Sequence, residues 1–319
     1  MGWEIVSDLM SSLEEWLKGK LADGIVGCLQ STCDTLSNTF SSDNKGMMKM
    51  FLKDRPEEFT GVTSGGTPIW SGIETITNNA IVPIAMFVLV VVLLYELIQM
   101  VISGNNFREF DMGIFFKWSV KALCGILLIS NVFYIATNVF LFGSSAVNEG
   151  LSTLFSGSFF TSGDPHLSGT LRSKLITLEV GTLLILLLLA CLIAIVAFVV
   201  LGAIIVVLSS RMIEIFMYLS ISPIPMATMM NNDWGQIGKN WLRNILALAF
   251  QGFFIVVALT IFRVILSNVI TQMASIGTGS TVTSGAITGS MAILLGYVIA
   301  LIFTIFRSSQ ISKSVFSAQ

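Results

Sequence analysis

Apolar and polar positions alternate along this chain on a scale of some twenty residues. Five long apolar runs, over 80–102, 118–142, 179–208, 242–266 and 286–306, stand between shorter polar stretches. A hydrocarbon layer of ~30 Å takes about 20 apolar residues in a helix. Each run is therefore read as one membrane crossing. The run over 179–208 is long enough to require tilt. Pro83 falls in the first turn of the first crossing, where a missing backbone donor is tolerated.

A sixth stretch, "MIEIFMYLSISPIPMATMM" over 212–230, is apolar but holds Glu214 near its start and Pro223 and Pro225 in its second half. Proline removes a donor and clashes with the preceding turn. In lipid each unsatisfied backbone group costs several kcal/mol. The stretch is thus either a sixth crossing or a re-entrant turn, and charge decides between them. With five crossings the cytoplasmic side collects Arg108, Lys117, Lys121, Arg211, Lys239, Arg243, Arg307 and Lys313, leaving Arg172, Lys174 and Arg263 outside. With six, Arg108, Lys117, Lys121 and Arg211 move outside. The positive-inside rule favours five. The N-terminus then lies outside and the C-terminus in the cytoplasm, and 212–230 dips into the inner leaflet and turns at Ser222–Pro225.

Ahead of the crossings, residues 1–79 form a more polar region. Trp3, Val6, Leu9, Met10, Leu13, Trp16, Leu17, Leu21, Ile25 and Leu29 recur at three- and four-residue steps, which predicts an amphipathic helix over 3–29. It either packs on its own neighbours or lies in the membrane interface with Trp3 and Trp16 as anchors. A second short amphipathic helix is expected over 46–59, followed by a Gly/Thr linker over 60–68. The fold class is all-α, a polytopic membrane protein of two regions, 1–79 and 80–319.

Composition agrees. Of 319 residues 54% are hydrophobic and 11% charged, against about a quarter charged in a soluble domain. The net charge of −2 divides into −5 over 1–79 and +3 over 80–319. No basic stripe with interleaved aromatics marks a nucleic-acid surface. Glu4, Asp8, Glu14 and Glu15 fall within the first seventeen positions, where a signal peptide would carry a positive and then an apolar stretch, so none is expected. Cys124 and Cys191 lie in apolar runs as packing residues, while Cys28 and Cys33 could form a disulfide or stay free. His166 is the single histidine and cannot build a metal site. No P-loop, no Ser/His/Asp set and no metal spacing is present, so neither enzyme chemistry nor a cofactor is expected.

Several side chains stand out. Arg211 and Glu214 are three apart, share a helix face and could pair. Glu96, Gln99 and Glu179 fall at the ends of crossings and read as interfacial. Trp241 and Arg243 open the fourth crossing. On their own they read as plain anchors, the indole in the interfacial belt and the guanidinium reaching to the headgroups. Gly285, Gly289, Ala292, Gly296 and Ala300 repeat every four residues or nearly so. Such a stripe lets helices approach closely, within one chain or between copies.

The segment "EIFMYLSISPIPMATMM" followed by "NWLRNILALAFQ" resembles the hallmark region of the TrbL-type polytopic inner-membrane subunit of type IV secretion and conjugation machines. The matching positions are Pro223, Ile224, Ala227, Trp241, Leu242, Arg243 and Gln251, with Pro225 beside them. The short outer loop, 143–178, is most similar to versions from conjugative elements of Gram-positive bacteria. The resemblance implies a channel subunit of a conjugative DNA-transfer machine in the cytoplasmic membrane, in which Arg243 holds the Pro223–Pro225 turn, whose freed carbonyls suit a guanidinium, or a partner subunit. It would be a homo-oligomer among other secretion subunits, including the secretion ATPases, surrounded by lipid and in transient contact with the DNA–protein substrate. The alternatives are a small-solute transporter and a holin-like scaffold. A transporter should show internal repeats and charges at mid-membrane, and neither is found here.

Overall fold

A computed structural model describes residues 2–40, 68–105, 112–154, 171–275 and 284–318. The expected helix over 46–59, the linker over 60–67, Arg108 and His166 lie outside the described residues. The elements are α1 (Gly2–Phe40), α2 (Ile69–Ile76), a π-helical turn (Thr77–Ile81), α3 (Val82–Asn105), α4 (Met112–Ser130), α5 (Val132–Leu154), α6 (Val180–Ser220), α7 (Pro223–Thr228), α8 (Gly235–Ser275) and α9 (Ser284–Val315). Among the described residues five stretches are long and apolar enough to cross a membrane: Ile69–Ile102, Met112–Ser130, Val180–Ser220, Gly235–Val269 and Gly285–Val315. The protein is an all-α, multi-pass membrane protein.

The helices depart from the expected boundaries in three places, each for a local reason. The first apolar helix begins at Ile69, well ahead of residue 80, so Pro83 is interior to it. The chain absorbs that proline by widening the preceding turn. The N–H of Val82 reaches back five residues to the Thr77 carbonyl, the π pattern that relieves a ring clash within a helix. The second expected crossing, 118–142, is divided at Asn131, whose side-chain amide donates to the Leu127 carbonyl at 2.8 Å. Such local side-chain bonds compete with a helix and bend it. Finally, residues 212–220 do not open a separate re-entrant segment. They are the last turns of α6, and the break comes at Ile221 and Ser222. At 41 residues α6 is about 60 Å long, twice the hydrocarbon thickness.

The chain forms two compact units. The first comprises Met1–Lys49, Gly150–Val207 and Ile255–Phe306. Its helices bury seams that alternate three- and four-residue steps: Leu183, Leu186, Ala190, Ile193, Ala197, Val200 and Ile204 on α6, then Ile255, Leu259, Phe262, Leu266 and Val269 on α8. On α9, Ile287, Met291, Leu294, Val298, Leu301 and Ile305 repeat the pattern. That average of 3.5 residues per step is the seam of helices packed at about +20°. The opposite side of α6, with Leu184, Leu188, Ile195, Phe198 and Val199, is apolar and exposed, as lipid requires. In the same unit α1 runs parallel to α6. A Cβ on Gly24 would touch Leu187, and four residues on in both helices the Cys28 and Cys191 sulfurs stand 3.9 Å apart. Both are free thiols, as is Cys124. Asp23 accepts from Arg172 at 2.5 Å, which holds its carboxyl below the usual carboxylate range.

The second unit comprises Met50–Glu149, Leu208–Phe254 and Arg307–Gln319. Its core gathers Ala85, Leu89, Ile129, Ala136, Ile215, Leu219, Met226, Ala227, Trp241 and Ile245. The short helix α7 lies inside this core, packed against α3 and α4.

Candidate functional site: a proline joint and a buried polar cluster

The stretch between α6 and α8 is a break inside protein, and its backbone can be accounted for group by group. Pro223 and Pro225 carry no N–H, so the carbonyls of Leu219 and Ile221 lose their ordinary helical donors. Leu219 receives instead the Ser222 N–H at 3.1 Å and the Ser222 hydroxyl at 2.6 Å. Ile221 receives the Ile224 N–H at 3.2 Å. Those substitutions draw the N–H groups of Ser222 and Ile224 away from Tyr218 and Ser220, whose carbonyls are met from outside. The Trp241 indole donates to the Tyr218 carbonyl at 3.0 Å, and the Thr77 hydroxyl donates to the Ser220 carbonyl at 3.1 Å. Thr77 is fully buried and is presented by the π-helical turn that Pro83 induces. The Thr228 hydroxyl closes the far end on the Pro225 carbonyl at 2.7 Å. Buried carbonyls find partners here as they must in a dry interior.

The sequence-derived positions divide accordingly. Pro223, Pro225, Ala227, Trp241 and Gln251 are buried, and Ile224 and Leu242 partly so. Arg243 is exposed. The clasp expected of the Arg243 guanidinium is made by the indole two residues earlier. Trp241→Phe removes that donor and leaves a buried carbonyl short, at a cost of ~1–3 kcal/mol. Arg243→Gln should change stability by under ~0.5 kcal/mol. Thermal unfolding in detergent compares the two.

The expected Arg211–Glu214 pair is not formed. Buried Arg211 donates through Nε to the Leu248 carbonyl at 2.9 Å and through Nη2 to the Ala249 carbonyl at 3.5 Å. Glu214 accepts from Lys313 of α9 at 3.0 Å. Two further contacts fall on the same stretch of α8. Gly143 of α5 brings its backbone so close to α8 that a Cβ would lie 2.5 Å from the Ala249 carbonyl oxygen. Ser312 donates to the neighbouring Ala247 carbonyl at 2.5 Å. Three successive carbonyls of α8 thus use their second lone pairs to hold α6 and α9. Among the described residues nothing packs closely over most of the small-residue stripe on α9. Gly285, Ala292, Gly296 and Ala300 are exposed, and a Cβ on Gly289 or Gly296 would meet nothing within 4 Å.

Beside the joint lies a polar cluster that the sequence reading missed. Glu96 of α3 is 2% exposed, enclosed by protein. One carboxylate oxygen accepts from the Lys121 ammonium of α4 and the other from the Asn231 amide at 2.5 Å. Gln99, one turn on, accepts from Asn231 at 3.4 Å and donates to Asp233 at 2.7 Å. The Asn231 side-chain oxygen receives the N–H groups of Asp233 and Trp234, which shapes the turn into α8. Tyr95 stacks on Trp234 with ring centroids 5.5 Å apart, and Trp118 donates to the Leu93 carbonyl at 2.8 Å. Three elements, α3, α4 and the turn after α7, are therefore tied through one buried carboxylate. Among the described residues no group of three His, Cys, Asp or Glu side chains comes together as a metal site.

A family model described as "TrbL/VirB6 plasmid conjugal transfer like protein" matches residues 57–223, just over half of the chain. The chain belongs to the TrbL/VirB6 conjugal transfer-like family. The TrbL/VirB6 match takes in α3, α4 and α6 and runs to the first proline of the joint, so Glu96, Gln99 and Lys121 lie within it. Trp241, Leu242, Arg243 and Gln251 lie beyond its end. No curated protein and no solved structure matches the chain.

Proposed function

We propose that this TrbL/VirB6 family member is a channel subunit of a type IV secretion machine for conjugative DNA transfer, lining part of the translocation path as an oligomer. The family match carries the reading. The five membrane-length helices support it, since a path through a bilayer needs walls of this kind. The subunit supplies structure, and the ATP-driven step belongs to the secretion ATPases it works beside. The charge distribution supports an N-terminus outside the cytoplasmic membrane and a C-terminus in the cytoplasm.

An in-frame deletion should abolish mating transfer and be complemented in trans. Transfer at the parental frequency would overturn the reading in favour of a solute transporter or a scaffold. For orientation, single cysteines placed by Ser280→Cys and Val315→Cys in a background without the native cysteines are exposed to an impermeant maleimide on intact cells. The first should be labelled and the second protected, and the reverse pattern would invert the topology.

A further inference from the structure

The N-terminal half of α1 carries an apolar stripe that the described residues leave bare. Val6, Leu9, Leu13 and Trp16 are 53%, 65%, 60% and 62% exposed, and Ile5 and Met10 are exposed beside them. The fully buried positions of the same helix come later, at Ala22, Ile25 and Thr32. At 100° per residue the two sets lie roughly 150° apart around the helix axis. The centre of the stripe therefore lies off the face that Ala22, Ile25 and Thr32 bury, while its Met10–Leu17 flank continues into Gly24, which meets α6. Every position from Ile5 to Trp16 is exposed, so among the described residues nothing packs over this stretch. A solitary helix of that length is marginal in water, and its stability has to come from packing of its apolar face.

The charge pattern selects the occupant. Val6, Leu9, Leu13 and Trp16 follow the three-four spacing of a coiled-coil seam, with Met10 and Leu17 widening it on one flank. Asp8, Glu14, Glu15 and Lys18 all fall on the far side, where facing helices do not meet, and Glu14 pairs with Lys18 along the same helix at 2.8 Å. The stripe is thus self-complementary, since copies can meet on it without opposing like charges. A lipid surface is the poorer match. Interfacial helices carry Lys and Arg on the polar face, and from Ile5 to Lys18 that face has three carboxylates against one cation, Lys18, which Glu14 already holds.

We propose that the segment Ile5–Leu17 of α1 packs against the same segment of neighbouring copies, forming a helical collar in the assembled channel. The inference rests on the oligomer proposed above. Its test is oxidative cross-linking in membranes of cells carrying the whole machine, with the four native cysteines replaced. Leu9→Cys and Leu13→Cys should give copy-to-copy products, and Ser11→Cys, on the far side, several-fold less. Equal cross-linking at Ser11→Cys and Leu13→Cys would indicate chance collision and overturn the collar. Absence of product at Leu9→Cys and Leu13→Cys, with product at Gly296→Cys on α9, would also overturn it while leaving the oligomer intact. Absence at every position, with a monomer on native gels, would remove both. As a second readout, Leu9→Asp with Leu13→Asp should shift the assembly on native gels to smaller species; an unchanged assembly counts against the collar alone.

Discussion

Lys121→Met should cost about 3 kcal/mol of stability in detergent, and Glu96→Gln should cost distinctly less. The asymmetry follows from exposure. The Glu96 side chain is 3% accessible and that of Lys121 33%. When the ammonium is removed, the carboxylate remains in a dry pocket with the Asn231 amide as its remaining donor from the cluster. An isolated buried charge is costly there, so the pocket must rearrange to bring water or another donor to the carboxylate. When the carboxylate is neutralised instead, Lys121 can turn its head toward solvent along its flexible stem. The double variant Glu96→Gln/Lys121→Met restores a neutral acceptor for Asn231 and should regain at least half of the loss. A double-mutant cycle by thermal unfolding measures the coupling. If the two single losses are equal and simply add, the cluster is not the linchpin of α3, α4 and the turn.

That cluster also marks where reading the sequence stops. The crossings were legible because an uncharged apolar run of membrane length is rare in a soluble fold. The break at Pro223 and Pro225 was legible because proline chemistry is local. Partners across the fold were not. Glu96 and Gln99 end an apolar run, and such residues ordinarily sit among headgroups; only the fold brings Asn231, 135 positions later, against the carboxylate. A signal did exist in the short polar run Asn231-Asn232-Asp233, placed where a turn must meet the end of another helix. Thr77 offered none, because its role depends on a π turn that Pro83 creates only when the helix begins a dozen residues earlier than apolarity suggests. Arg211 and Glu214 have pairing geometry on a lone helix. Tertiary neighbours outbid it, with two α8 carbonyls for one residue and Lys313 for the other.

Gly238→Ala should destabilise the protein by about 1–3 kcal/mol and cut mating transfer, whereas Gly296→Ala should be neutral or stabilising by up to ~1 kcal/mol. The chemical change is identical and both glycines are helical, so propensity alone favours alanine at each. Contact reverses the sign at one of them. A Cβ on Gly238 would fall 2.1 Å from Met229 Cγ and 2.5 Å from the Pro225 carbonyl oxygen, while one on Gly296 meets nothing within 4 Å. The Met229 side chain can swing aside. The Pro225 carbonyl cannot, because it belongs to the backbone of α7, which is bedded between α3 and α4 and held at its own end by Thr228. Alanine must then push α8 off the joint and lengthen the bond from Trp241 to Tyr218. Combining Gly238→Ala with Met229→Ala separates the two obstacles, and rescue should be partial since the carbonyl stays in place. Full rescue would mean that the side chain alone was in the way and that α8 does not need its close approach to the proline turn.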